Sequence, residues 1–152
     1  MNWRHLLLSL DGRIPRRAFW LGVGAIFAFQ FVIQTPLART WDIDIDRGLA
    51  PLWFRNLSLF LDVICAWPLF AVLSKRQQDR NQDANLSFVL VALVLIFSTL
   101  EAFGLTQEGS EFTAVGLAAG VPLLGVFAIV LIELGGRRGS DGPNRFGPDP
   151  LR

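Results

Sequence analysis

Apolar residues gather into four blocks, at 18–38, 57–73, 86–105 and 114–134. Each is close to the ~20 residues that cross a bilayer as a helix. In hydrocarbon every backbone N–H and C=O must be bonded within the segment, so blocks of this length predict helices. Ahead of them, Trp3, Leu6, Leu7 and Leu10 fall at helical spacing and stop at Asp11-Gly12, which predicts a short amphipathic helix at the interface. Residues 39–56 form a polar loop, 74–85 a strongly polar linker, 106–113 a short turn. The tail, 135–152, is broken by Gly and Pro and is expected to be non-helical. The expected architecture is one all-α membrane domain over 1–152, with four transmembrane helices and a short amphipathic N-terminal interfacial helix. A basic arm before an apolar block also fits a secretory signal. The first block is too long for one, however, and Pro36-Leu37-Ala38 is a poor cleavage site, so it is expected to stay attached.

Composition agrees with this reading and removes much chemistry. Hydrophobic residues make up 52% of the chain and charged residues 18%, with 13 Phe and 5 Trp. That exceeds the roughly 45–50% apolar share of a soluble domain. One Cys (Cys65) excludes an intramolecular disulfide, and one His (His5) excludes a His-based metal site or triad. No G-x-S-x-G, Walker, Rossmann or H-E-x-x-H pattern occurs, so no catalytic residue, metal or cofactor is expected. A formal net charge of +1 gives no reason to expect nucleic acid.

The distribution of charge is more telling than its sum. Arg4, Arg13, Arg16, Arg17, Lys75, Arg76, Arg80, Arg137, Arg138, Arg145 and Arg152 all fall on one side of the four spans. Only Arg39, Arg47 and Arg55 of the 14 basic residues fall on the other. The positive-inside rule then puts both termini in the cytoplasm. That face carries a net charge of +6 after Asp11, Asp79, Asp83, Asp141 and Asp149, which suits anionic phosphate or lipid.

Three short stretches on that face resemble the motifs of the DUF805 family, small bacterial inner-membrane proteins without an assigned function. Gly12-Arg13-Ile14-Pro15-Arg16-Arg17-Ala18-Phe19-Trp20 is similar to the family's entry to the first helix. Lys75-Arg76-Gln77-Gln78-Asp79-Arg80 resembles the segment after the second. Gly142-Pro143-Asn144-Arg145-Phe146-Gly147-Pro148-Asp149-Pro150 resembles the tail motif. Ala18 and Gln78 depart from the pattern, standing where the family often has an acidic residue and usually has His. The resemblance implies a four-helix protein of the inner (plasma) membrane and supplies no reaction.

Topology brings the three motifs to one side, where Arg13, Arg16, Arg76 and Arg145 offer guanidinium forks and Asp79 and Asp149 accept them. Together with Asn144 these residues form either a clasp that pins the tail under the bundle, an anion site, or plain topogenic charge. The clasp reading expects 144–150 to be ordered, with Phe146 mostly buried, Asp149 meeting Arg13, Arg16 or Arg76, and Arg145 meeting Asp79 or helix-terminal carbonyls.

Two carboxylates lie inside apolar blocks: Asp62 and Glu101, at matching depths of roughly 6–8 Å from the outer ends. An intramembrane carboxylate is costly and is read as an ion or proton relay or as a partnered group. Glu133 precedes Arg137 by one turn, in favourable order. Asp42-Ile43-Asp44-Ile45-Asp46 opens like a calcium loop but has Arg47 where Gly is wanted and Trp53 where Glu is wanted, so a solvated loop is expected. Gly116 and Gly120 form a GxxxG, used within the bundle or for homo-oligomerisation. The leading functional expectation is a non-enzymatic binding or scaffold protein whose cytoplasmic Arg/Asp face engages anionic lipid or a protein partner. The alternative is a small transporter or channel component using Asp62 and Glu101.

Overall fold

The structure, a computed structural model, describes residues 2–41, 43, 50–109 and 111–150. The aspartates of the calcium-like loop, Asp42, Asp44 and Asp46, lie outside the described residues, as do Arg47 and Arg152. A short helix α1 (Trp3–Leu8) precedes α2 (Arg16–Thr40), α3 (Leu52–Asp79) and α4 (Asn85–Ala102). A minimal hairpin of β1 (Gln107–Glu108) and β2 (Glu111–Phe112) leads into α5 (Ala114–Val130), which ends in a π-helical turn, Leu131–Gly136. Four helices, counting α5 with its π turn, are long and apolar enough to cross a membrane. The expected all-α architecture with four spans is the observed one.

Several boundaries differ from those expected. α3 starts at Leu52 rather than 57, because Pro51 fits the position just before a helix, where no N–H is needed. It also runs on to Asp79, six residues past its apolar block, into the stretch expected to be a linker. α4 stops at Ala102 rather than 105, since Gly104 turns the chain at φ +73°. Pro36, Pro68 and Pro122 all sit inside helices. Within α2, Thr40 Oγ1 donates back to Pro36 O, one turn earlier, at 2.8 Å.

α3 packs on α1, α2 and α4, α4 also packs on α5, and α2 meets the π turn. Leu6 of α1 is buried, with Gly22 and Val72 as neighbours, so α1 contributes to the core. Phe19, Val72, Leu73, Leu90, Val130 and Leu134 complete the packed centre. The GxxxG faces inward. A Cβ at Gly116 would lie 2.1 Å from the Thr106 carbonyl oxygen, and one at Gly120 3.4 Å from the Phe97 ring. Both glycines therefore admit neighbours from their own chain.

Candidate functional site

The site lies at the basic end of the bundle, where α2 begins, α3 ends and the tail follows the π turn. Ser74, Lys75, Arg76, Gln77 and Asp79 are buried there, although their composition reads as a solvated linker. Lys, Arg and Gln are good helix formers, so nothing local stops α3 after Leu73. Burial of their charges is possible only because each finds partners from distant segments.

Lys75, 0% exposed, donates to Leu6 O at 2.6 Å and also to His5 O, satisfying carbonyls at the C-terminal end of α1. Arg76, 1% exposed, donates from Nε to Leu134 O (2.7 Å) and from Nη2 to Arg137 O (2.6 Å). Its Nη1 pairs with Asp79. Arg13 reaches the other carboxylate oxygen of Asp79 at 3.1 Å. It then donates to Gly142 O and Ser140 O, both at 2.6 Å. Two guanidinium groups thus share one carboxylate, and tail and helix-end carbonyls take up their remaining N–H groups. The oxygen of the Gln77 side chain accepts from Ser87 N (2.8 Å) and Ser87 Oγ, capping α4 from another helix. Outside this core, Arg80 and Arg137 both pair with Glu133, the latter at 3.0 Å.

The tail is docked on this network. Ser140 N donates to Asp79 O at 2.8 Å, and Asn144 Nδ2 donates to Gln78 O at 2.9 Å. Asn144 and Gly147 exchange two backbone hydrogen bonds of 3.0 Å. Gly139 passes so close that a Cβ there would lie 2.0 Å from Asp79 Oδ2. Arg145 meets a carbonyl just past the end of α3, as one expected alternative has it, but its carboxylate partner is not Asp79. Arg145 meets Asp83 (2.9 Å) and Asn81 O (3.4 Å), because Asp79 is already taken by Arg13 and Arg76. Phe146 is mostly buried, as expected, with the Arg145 guanidinium 4.6 Å from its ring centroid. Asp149 accepts the Gly142 N–H at 3.3 Å.

Beside the docked tail is a cleft of about 400 Å³ lined by Arg16, Arg17, Arg76 and Arg138 and by Asp79, Asp141 and Asp149. Arg16 donates to Gly136 O at 3.0 Å. Among the described residues no ion pair joins Arg16, Arg17 or Arg138 to a carboxylate. The cleft sits at the start of α2, whose N-terminus has only Pro15 before it and no side-chain cap. Free N–H groups and a positive helix end add to the arginines there. Lys75, Arg138, Gly139 and Ser140 belong to this site although nothing in their local sequence marks them as site residues. Gly139 matters through its close backbone approach to Asp79, whereas Ser140 contributes both its backbone and its hydroxyl, which donates to Asp79 O and accepts from Asn144 Nδ2, each at 3.0 Å.

Asp62 lies far from this end. Its two oxygens accept from Gln30 Nε2 and Ser98 Oγ, each at 2.6 Å, joining α2, α3 and α4. Glu101 stands exposed one turn beyond Ser98, and among the described residues no hydrogen bond or ion pair ties it to Asp62 or Arg55. The matching depths therefore do not make the carboxylates a contact pair. Among the described residues no group of His, Cys, Asp and Glu is arranged to hold a metal.

With this geometry in view, the motifs that clasp the tail decide the family. The family model described as "Protein of unknown function (DUF805)" matches residues 7–148. The chain belongs to the DUF805 family. It is 31% identical over 149 residues to the uncharacterized protein YiiR of Escherichia coli strain K12, covering 98% of this chain and 90% of that protein. The YiiR protein of Escherichia coli O157:H7 matches to the same extent. No solved structure matches. The match to the family begins at the end of α1 and extends over α2–α5 and most of the tail, so it includes Arg13, Arg76, Asp79 and Asn144 together.

Proposed function

We propose that this DUF805 protein is a non-enzymatic binding protein of the bacterial inner membrane, with both termini cytoplasmic, that holds an anionic phosphate group at its basic end. One observation carries the reading. Arg13 and Arg76 are consumed by internal contacts, whereas Arg16, Arg17 and Arg138 line an open cleft at an uncapped helix N-terminus and, among the described residues, are joined to no carboxylate by an ion pair. Guanidinium forks and free N–H groups are the chemistry that recognises phosphate. Asp141 and Asp149 also line the cleft and oppose an anion, so the arginines there set both affinity and selectivity.

The test is flotation of the purified protein, in neutral-lipid discs, with vesicles containing phosphatidic acid or phosphatidylcholine alone. Binding to phosphatidic acid that the Arg17→Gln, Arg138→Gln pair abolishes is expected. Equal binding by this pair and the unaltered protein defeats the proposal. A second reading, an ion or proton path through Asp62 and Glu101, draws support from the buried Gln30–Asp62–Ser98 junction. Flux through reconstituted vesicles that disappears on Asp62→Asn would favour it over binding.

A further inference from the structure

One helical turn deeper than the arginine cleft, the bundle contains a second cavity of about 230 Å³ with no polar lining. Phe19, Leu73, Leu90, Val94, Leu123 and Phe127 line it. It arises because α2 packs on α3 and α5 packs on α4, while α2 reaches the α5 end of the chain mainly at the Leu131–Gly136 turn. Further out, the seam between α2 and α5 is bridged by the edge contact of Phe27 and Phe127, whose ring centroids are 6.5 Å apart. Leu124, on the cavity wall, is 67% exposed, so the cavity opens sideways onto the surface of the spans.

The two cavities are in register. Arg16 lines the cleft and Phe19 the seam, and Arg76 lines the cleft and Leu73 the seam. Residues three apart share a helix face, so on both helices the charged group stands roughly 4.5 Å nearer the membrane surface than the apolar one. Apolar walls gain dispersion contacts with any hydrocarbon that packs against them. Hydrocarbon is the solvent around this seam, and an acyl chain entering sideways from it matches the all-apolar lining. The depth order, phosphate-binding groups at the rim and hydrocarbon below, is that of a phospholipid in a leaflet.

We infer that the site takes one whole anionic phospholipid, its phosphate among Arg16, Arg17 and Arg138 and one acyl chain in the seam between α2 and α5. This rests on the reading of the cleft as a phosphate site and adds the chain to it. The lipid then lies against the side of the bundle as a bound molecule, and the protein discriminates by chain as well as by headgroup.

Native mass spectrometry of the full chain in neutral detergent tests this, with long-chain phosphatidic acid and water-soluble glycerol phosphate as probes. The unaltered protein is expected to hold the long-chain lipid at least about tenfold tighter than glycerol phosphate. Val94→Phe, which fills the seam, is expected to remove most of that preference while leaving glycerol phosphate bound. The Arg17→Gln, Arg138→Gln pair is expected to lose both probes. A Val94→Phe protein that keeps the full chain preference overturns the inference and leaves the phosphate cleft standing. Glycerol phosphate binding unchanged in the arginine pair overturns the cleft and the inference together. Should Val94→Phe fail to fold, Leu124→Trp at the exposed mouth replaces it and is read by the same criteria.

Discussion

Asp79 is the residue on which the basic end turns. It pairs with Arg13 and Arg76 through the two oxygens of one carboxylate, and all three side chains are buried. Removing one partner of a buried ion pair strands the other charge, at a cost of about 3–5 kcal/mol. Asp79→Ala is therefore expected to lower the thermal midpoint in detergent sharply, whereas Arg17→Gln, at an exposed position, leaves it unchanged. Equal midpoints for Asp79→Ala and the unaltered chain would contradict the network. Two glycines give a matched contrast. Gly139→Ala drives a methyl group into the Asp79 carboxylate and is expected to cost about 1–3 kcal/mol. Gly125 has nothing within 4 Å of its Cβ position, so Gly125→Ala within α5 is expected to stabilise by about 0.5–1 kcal/mol. Unfolding followed by tryptophan fluorescence separates the two signs.

Among the elements, α3 has the most to do. Its apolar length spans, its polar end organises α1, α4 and the tail, and its middle holds Asp62. The Gln30–Asp62–Ser98 junction fastens three helices where there is no hydrophobic force between them. Interhelical hydrogen bonds in membranes average about 0.6 kcal/mol and reach about 1.7. A double-mutant cycle of Asp62→Ala with Gln30→Ala is expected to give coupling in that range, and zero coupling would mean the bond contributes nothing. The tail is an element without regular secondary structure. Its order comes from Ser140, Asn144 and the Asn144–Gly147 turn lying on α3. Deleting 137–150 removes the tail acceptors of Arg13, leaving it Asp79, and one acceptor of Arg76, so faster proteolysis in the segment around Arg13 is expected. An unchanged cleavage pattern would show that the clasp does not hold the N-terminal arm.

At the scale of the whole molecule, the arrangement is polarised. The N-terminal arm, the end of α3 and the docked tail meet at one end, and the hairpin β1–β2 lies at the other. With basic residues concentrated at the first end, a reporter fused after the tail is expected to register the cytoplasm and one inserted between β1 and β2 the opposite side. The reverse pattern would move the arginine cleft to the outer leaflet and remove the cytoplasmic setting of the proposed site.

Spans are legible in this sequence because hydrocarbon forces each segment to satisfy its own backbone, so the evidence for a helix lies within the ~20 residues that form it. The four blocks, the short amphipathic helix and the basic end need nothing beyond local composition and charge, whereas the motifs at that end are legible through the resemblance to the DUF805 family. The same locality explains what was not legible. Ser74 to Asp79 reads as linker because burial of Lys75, Arg76 and Asp79 depends on acceptors far along the chain: Arg13 and Asp79 are 66 residues apart, Arg13 and Gly142 are 129 apart. Asp62 stood out at once, but Gln30 and Ser98 became its partners only when three helices met. Arg145 is legible as a charged tail residue, whereas its pairing with Asp83 follows from Asp79 being taken by Arg13 and Arg76. Desolvating a charge is tolerable only where every partner is in place, and only the packed chain puts those partners there.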